Sequence, residues 1–372
     1  PSGVLKTRHH SVSAFRSKGG MKEFLWSNER MIRNFALVVA GALMGAVSFF
    51  TLVHQLRFAD SYRWELPPCF EVGAPFHHRF QPSCQGPMNT PQGPVSLFTN
   101  EDSLRDAPRA EILEKPNRVL LLGDSNVEGW WLSPAQTLGA LLSAEFPETY
   151  FINGGLRSTG PLFQAQYFDR LLDTYEPRSV ILLMNDTDTS DDKLACALAE
   201  DINLSPEAWK YSLDDFELGP WEGRLVGTLG NTEAGRRLKT HYYRERWAKF
   251  VASERGQRCE TCLGLKEMNR LAKKRGVPLR VIYFKMREEK MASHYPLDAS
   301  ALERYLRCFE ELKIPFFVLD NNRLSAEEVE RYFWPNDFHR NPEGMAYFVA
   351  QITPALEDWQ IVPENRDAPD LE

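Results

Sequence analysis

A serine hydroxyl becomes a useful nucleophile when a base takes its proton, and the base works best when a third group fixes its tautomer. Three residues of this 372-residue chain stand at spacings that suit that chemistry. Ser125 follows the apolar run in "RVLLLGDSN", where a strand gives way to a turn. Far downstream, "WPNDFHRNPEG" carries Asp337 and His339 two residues apart, just ahead of a helix. On an extended segment, side chains at i and i+2 point the same way, so Asp337 can orient the imidazole of His339. The expected roles are Ser125 as nucleophile, His339 as base and then acid, and Asp337 as its orienting partner. A tetrahedral intermediate also needs donors for its oxyanion, each worth about 3–4 kcal/mol in acyl transfer. Candidates are the N–H of Ser125, a backbone N–H in "NGGLRSTG" around Gly155 and Ser158, and the side-chain amide of Asn185 in "LMND".

Each piece alone has a plainer explanation. Turns favour Gly, Asp and Ser, and an Asp near a helix start is normally a cap. All four stretches, in this order and each at a strand end or before a helix, favour the catalytic reading.

Together they resemble the SGNH (GDSL) hydrolase superfamily over about residues 118–352. "GDSN" matches the first block and makes Ser125 the nucleophile. "NGGLRSTGP" resembles the second, whose glycine five residues after the Asn donates to the oxyanion; Ser158 stands at that position, with Gly155 and Gly160 nearby. "LMND" resembles the third block, with Leu183 where glycine is usual and Asn185 retained. "NDFHRNPEG" is similar to the variant of the last block in which one residue separates Asp from His, common in envelope-associated members. The resemblance implies a flavodoxin-like three-layer α/β/α sandwich, ester hydrolysis or acyl transfer, and no cofactor.

The elements that must position these residues read as alternating strands and helices. Strands are expected at "RVLLLGD", "TYFINGG", "SVILLMND", "PLRVIYFK" and "PFFVLD". Helices are expected over "PAQTLGALLSAEF", "GPLFQAQYFDRLLDTYEP", "CLGLKEMNRLAKKRG", "DASALERYLRCFEELKI" and "NPEGMAYFVAQITPALEDW". That alternation implies a doubly wound α/β domain over 116–360 with a parallel sheet, whose ligands sit at the carboxyl ends of the strands. Residues 54–115, rich in Pro and Gly, read as a connecting or lid-like segment. An aromatic-rich insertion covers about 191–258, and 361–372 form a C-terminal tail.

A charge of −7 argues against nucleic acid as a partner. Residues 35–53, "FALVVAGALMGAVSFFTLV", run nineteen residues without a charge. As a helix they reach about 28 Å, close to the bilayer's hydrocarbon thickness. No small-x-small cleavage signal closes the run, as a signal peptide would require. A single transmembrane helix is therefore expected. Arg16, Lys18, Lys22, Arg30 and Arg33 precede it, against Arg57 and Arg63 after it. The positive-inside rule then leaves 1–34 as a cytoplasmic tail and puts the catalytic domain outside the cytoplasmic membrane. Gly41 and Gly45 form a GxxxG pair, from helix pairing or from chance in a Gly- and Ala-rich span.

Six cysteines suit an exported domain. Cys69 with Cys84 is expected as a loop staple, and the "CETC" at Cys259–Cys262 as a structural disulfide or inert thiols, since zinc would need two more ligands. "DTDTSDD" from Asp186 lacks the glycine and glutamate of a calcium loop, so it is expected to be a solvated or capping acidic run. His77 and His78 are expected at the surface, with no metal site. Trp130, Trp131 and Trp334 suit either a sugar-stacking wall or the core.

The sequence therefore points to a membrane-anchored serine esterase whose substrate is an acylated carbohydrate or another ester such as a lipid. Two alternatives stand beside it. One is an O-acyltransferase modifying an envelope polysaccharide with a multi-span membrane partner. The other is a non-catalytic carbohydrate-binding or assembly protein on the same scaffold.

Overall fold

The computed structural model describes residues 34–35, 37–46, 48–49, 69–73, 76–198, 262–287, 300–335 and 337–363. The chain divides into two compact units between Ala59 and Asp60. In the first, the described residues are helical, with Phe35, Val38 and Met44 well exposed. Among the described residues no helix is long and apolar enough to cross a membrane. The apolar run 35–53 lies partly outside them.

In the second unit the long apolar runs form the expected parallel sheet. Its strands are β5 (Arg118–Gly123), β6 (Tyr150–Gly155), β7 (Ser179–Asn185), β8 (Leu279–Lys285) and β9 (Phe316–Asp320). They lie in the order β6-β5-β7-β8-β9. Every neighbouring pair is parallel, with Leu122 opposite both Gly154 and Leu182. A central parallel strand is covered on both faces, so it must be apolar throughout. Val119 to Leu122 are accordingly at most 1% exposed, and each such side chain contributes about 1.5–3 kcal/mol by leaving water. The order is second, first, third, fourth, fifth along the chain, the flavodoxin-like winding, which opens a crevice at the carboxyl ends of β5 and β7.

The helices sort into two packed groups. Pro161–Tyr175 lies against Leu263–Arg275 and Asp188–Leu198, whereas Leu138–Glu145 lies against Pro342–Asp358, which also holds Ala326–Tyr332. Residues 199–261, most of the expected insertion, lie outside the described residues.

The Pro- and Gly-rich stretch expected as a connector contains two antiparallel hairpins. β1 (Phe70–Gly73) pairs with β2 (Phe76–Phe80), and β3 (Gln85–Thr90) with β4 (Gly93–Phe98). Pro87 and Pro94 mask the second pair in the sequence, yet a two-stranded ribbon has only edges, where proline is tolerated. The Cys69–Cys84 disulfide joins the hairpins, as expected.

Cys262 pairs with Cys308, 46 residues away, so the "CETC" motif supplies a structural bridge. Cys196 is disulfide-bonded as well. Closing a loop of that length restrains the unfolded chain by about 4 kcal/mol in the chain-entropy account. The double variant Cys262→Ala/Cys308→Ala is expected to lose about 2–4 kcal/mol, measured by urea unfolding as a lower midpoint with a steeper slope, since the unfolded chain is freed to expand.

Candidate active site

The turn that carries Ser125 is built by its neighbours. Asp124 leaves β5 in an extended conformation, and its carboxylate accepts the N–H of Asn126 at 2.8 Å. That cap starts a single helical turn, Ser125–Glu128, which ends at Gly129 with φ +83°. Because Asp124 takes the next N–H, the N–H of Ser125 is one of the donors that a helix start leaves without an intrahelical acceptor.

Gly155, expected as an oxyanion donor, has a different task. A Cβ there would lie 2.2 Å from the backbone nitrogen of Glu128, so only glycine lets β6 lie against the nucleophile turn. Its own N–H donates to Asn153 Oδ1 at 3.1 Å. Ser158 is exposed and adopts φ +52°, the left-handed conformation that glycine takes freely.

The three reacting side chains meet. His339 Nε2 lies 2.7 Å from Ser125 Oγ, and His339 Nδ1 lies 2.5 Å from Asp337 Oδ1. The same carboxylate oxygen accepts the backbone N–H of His339 at 2.7 Å. All three are buried, Ser125 most open at 8% exposure. The loop holding Asp337 and His339 is closed by backbone bonds from Trp334 N–H to His339 O at 3.0 Å and from Asn341 N–H to Tyr332 O at 3.0 Å. Ser125 and His339 are 214 residues apart in sequence, so only the sheet's winding brings them together.

Asn185 is fully buried, but its amide is not aimed as expected. Nδ2 donates to Asp124 Oδ2 at 2.9 Å, while Oδ1 accepts from the Thr187 N–H at 2.9 Å and hydroxyl at 2.8 Å. The residue expected to hold an oxyanion therefore ties the end of β7 to the carboxylate that caps the nucleophile turn. A strand-end Asn has the same signature in the sequence for either task.

Sequence reasoning missed the shell around this turn. Arg105, buried, donates through Nη1 to the carbonyls of Glu128 (3.0 Å) and Gly129, and through Nη2 to that of Leu132. Burial pushes its guanidinium down to about 10, with Glu128 opposing and Arg157 adding to the effect. The clamped loop holds Trp131 at φ +62°, unusual for a bulky side chain. Trp130, Trp131 and Trp334 are all buried. Trp130 carries the Arg157 guanidinium 3.9 Å above its ring, stacks on Trp131 at 5.4 Å, and lies 6.2 Å from His339. Trp130 is 5% exposed, so it belongs to the core that holds the imidazole and is not open to a sugar.

Arg157 also pairs with Glu128, which is fully buried: its N–H and Nε donate to Oε2 at 2.8 and 3.0 Å. His78, expected at the surface, is buried between Phe70 and Phe163, and its Nε2–H donates to the Arg157 carbonyl at 2.6 Å. The first hairpin thus braces the loop ahead of Ser158. Removing one partner of a buried ion pair strands the other, at about 3–5 kcal/mol. Arg157→Leu is expected to lose that much stability, measured by thermal unfolding.

The acidic run after Asn185 is not solvated. Asp186, Asp188, Asp191 and Asp192 are all at most 9% exposed. The capping half of that expectation holds for Asp192, whose carboxylate accepts the N–H of Leu162 at 2.8 Å near the start of helix Pro161–Tyr175. Burial raises the carboxyls of Asp188 and Asp192 well above the usual range and Asp191 to about 8, with the charge of Asp124 adding to the shift of Asp188 and Asp191. Among the described residues, no group of three or more His, Cys, Asp or Glu side chains is placed to hold a metal ion.

A hydroxyl, an imidazole and a carboxylate in one hydrogen-bonded line define the serine-triad class of site. No protein-family model matches the chain, and no curated protein matches it. It is similar to several solved structures of esterases and acylhydrolases. One is a psychrotrophic esterase from Pseudoalteromonas sp., 10% identical, with a TM-score of 0.38 over 66% of this chain and 98% of that one. Another is a putative acylhydrolase from Bacteroides fragilis, 15% identical, with a TM-score of 0.35 over 68% and 94%. A third is a two-domain esterase active on acetylated mannans, 15% identical, with a TM-score of 0.33 over 69% and 53%.

Proposed function

We propose that the protein is a serine ester hydrolase of the SGNH type. Ser125 Oγ attacks an ester carbonyl as its proton passes to His339 Nε2. Asp337 keeps the Nδ1 proton in place and stabilises the imidazolium that forms. The oxyanion is received by the N–H of Ser125 and a backbone N–H of the turn at Ser158. His339 then returns its proton to the leaving alcohol, and water releases the acyl group from Ser125. The observation that carries this reading is the unbroken Ser125–His339–Asp337 line.

The finer reading places this chemistry outside the cytoplasmic membrane, held by the helix over 35–53, on an acylated envelope carbohydrate or lipid. Its support is the uncharged nineteen-residue run and the cations on its N-terminal side. A carbohydrate hydroxyl in place of water as acceptor would make the same site an O-acyltransferase.

The test uses the full chain, purified in detergent and mixed with p-nitrophenyl acetate. Acid quenching during turnover should leave the mass of one acetyl group on the peptide containing Ser125. Labelling without release until a carbohydrate acceptor is added would identify a transferase. Neither label nor turnover in a folded sample would sink the catalytic reading and leave the binding-protein alternative.

A further inference from the structure

Arg340 follows the triad histidine and sits where an apolar residue would be expected. It is 3% exposed, with its guanidinium 4.0 Å from the centre of the Phe348 ring, 4.7 Å from Phe284 and 5.6 Å from Phe333. Nη1 donates to Asn126 Oδ1 at 3.4 Å, and Nη2, also buried, has no hydrogen-bond partner among the described residues. A buried guanidinium without a carboxylate bonded to it costs stability, and an apolar side chain of similar volume usually fits such a slot better. Core packing therefore does not account for it.

Its place in the fold does. The triad is assembled across a seam between the turn that carries Ser125 and the loop that carries His339. Ser125 Oγ to His339 Nε2 is one bond across that seam, and Arg340 Nη1 to Asn126 Oδ1 is a second, with the same sequence separation of 214. Asn126 is itself fixed, since its N–H and Nδ2 donate to Asp124 Oδ1 at 2.8 and 3.0 Å. The backbone of Arg340 is pinned by its bridge to Phe333.

We infer that Arg340 is a positioning residue, which registers the His339 loop on the nucleophile turn through Asn126. The inference rests on the esterase reading above. Misplacing reacting groups by about 1 Å can cost on the order of 10²-fold in rate, so the strap acts on turnover more than on binding.

The experiment compares the parent with Arg340→Met, Arg340→Lys, Asn126→Ala and the Asn126→Ala/Arg340→Met double variant, on p-nitrophenyl acetate. Arg340→Met is expected to unfold at an equal or higher temperature than the parent, yet to show kcat lower by about 10- to 100-fold with KM within about twofold. Arg340→Lys, which retains the charge, should recover part of that loss. The double variant should be no slower than the slower single variant, because both remove one strap. Parent-like kcat in folded Arg340→Met would overturn the inference, as would strictly additive losses in the double variant. So would a collapsed fold in Arg340→Met, which would make Arg340 structural. A parent without turnover would instead remove the esterase reading on which the strap depends.

Discussion

His339→Ala is expected to lower kcat by about 10⁶-fold, as Ser125→Ala should, because the triad fails as a unit once either reacting member is gone. Asp337→Ala is expected to cost less, about 10⁴-fold. KM should change little, since these groups act on the transition state rather than on substrate binding. Asp337→Asn discriminates between two effects that the alanine change combines. One oxygen, Asp337 Oδ1, accepts both the ring Nδ1–H and the backbone N–H of His339. An asparagine can place its carbonyl oxygen at that position and keep both bonds, so the tautomer survives and only the negative charge facing the imidazolium is lost. Steady-state kinetics on p-nitrophenyl acetate should therefore rank parent, Asp337→Asn and Asp337→Ala in falling order of kcat. An asparagine variant as slow as the alanine variant would show that the amide turns its NH₂ toward the ring and imposes the wrong tautomer.

The triad was legible because its members announce themselves by local texture. A short continuous apolar run has too few residues for a buried helix and suits a doubly covered strand, and "GDS" at its end marks the turn beyond it. The five parallel strands and the i, i+2 pairing of Asp337 with His339 followed from such short-range patterns. The support shell was not legible, because its partners are far apart. Arg105 lies in the stretch that reads as a connector, and nothing near it in sequence points to the carbonyls of Glu128, Gly129 and Leu132 that it holds. His78 reads as an exposed histidine until Phe70 and Phe163 close over it. The role of Asn185 depended on whether its amide faced the oxyanion or Asp124, which spacing does not encode. Gly155 shows the same limit, since glycine serves both a donor N–H and a close backbone approach.

The carboxyl cluster behind the nucleophile turn leads to the largest expected effect on stability. Asp191 is buried on the helix after β7, and burial, aided by the charge of Asp124, raises it from the ordinary 3.8 to about 8. A carboxyl raised in the folded state keeps its proton there after the unfolded chain has lost it. Between about pH 4 and pH 8 the folded state therefore binds more protons, and stability falls as pH rises through that window. Each tenfold difference in proton affinity between the two states corresponds to about 1.4 kcal/mol, so the cost at pH 8 is on the order of 4–6 kcal/mol. Asp191→Asn removes the titration and retains a polar side chain of the same shape. It is expected to raise the unfolding midpoint strongly at pH 8, less at pH 6, and hardly at all at pH 4. Urea unfolding at those three pH values reads the gap directly. A gap that stays constant with pH would mean that Asp191 does not titrate between the two states in this range. A gap of the opposite sign would mean that the folded protein stabilises the charged carboxylate rather than the neutral acid. The same proton balance bears on activity, because Asp124 caps the turn that presents Ser125. As Asp191 ionises above about pH 8 it sets a second negative charge against Asp124 and loosens that cap, so turnover should fall at the alkaline end, where the loss of stability from this group is already complete.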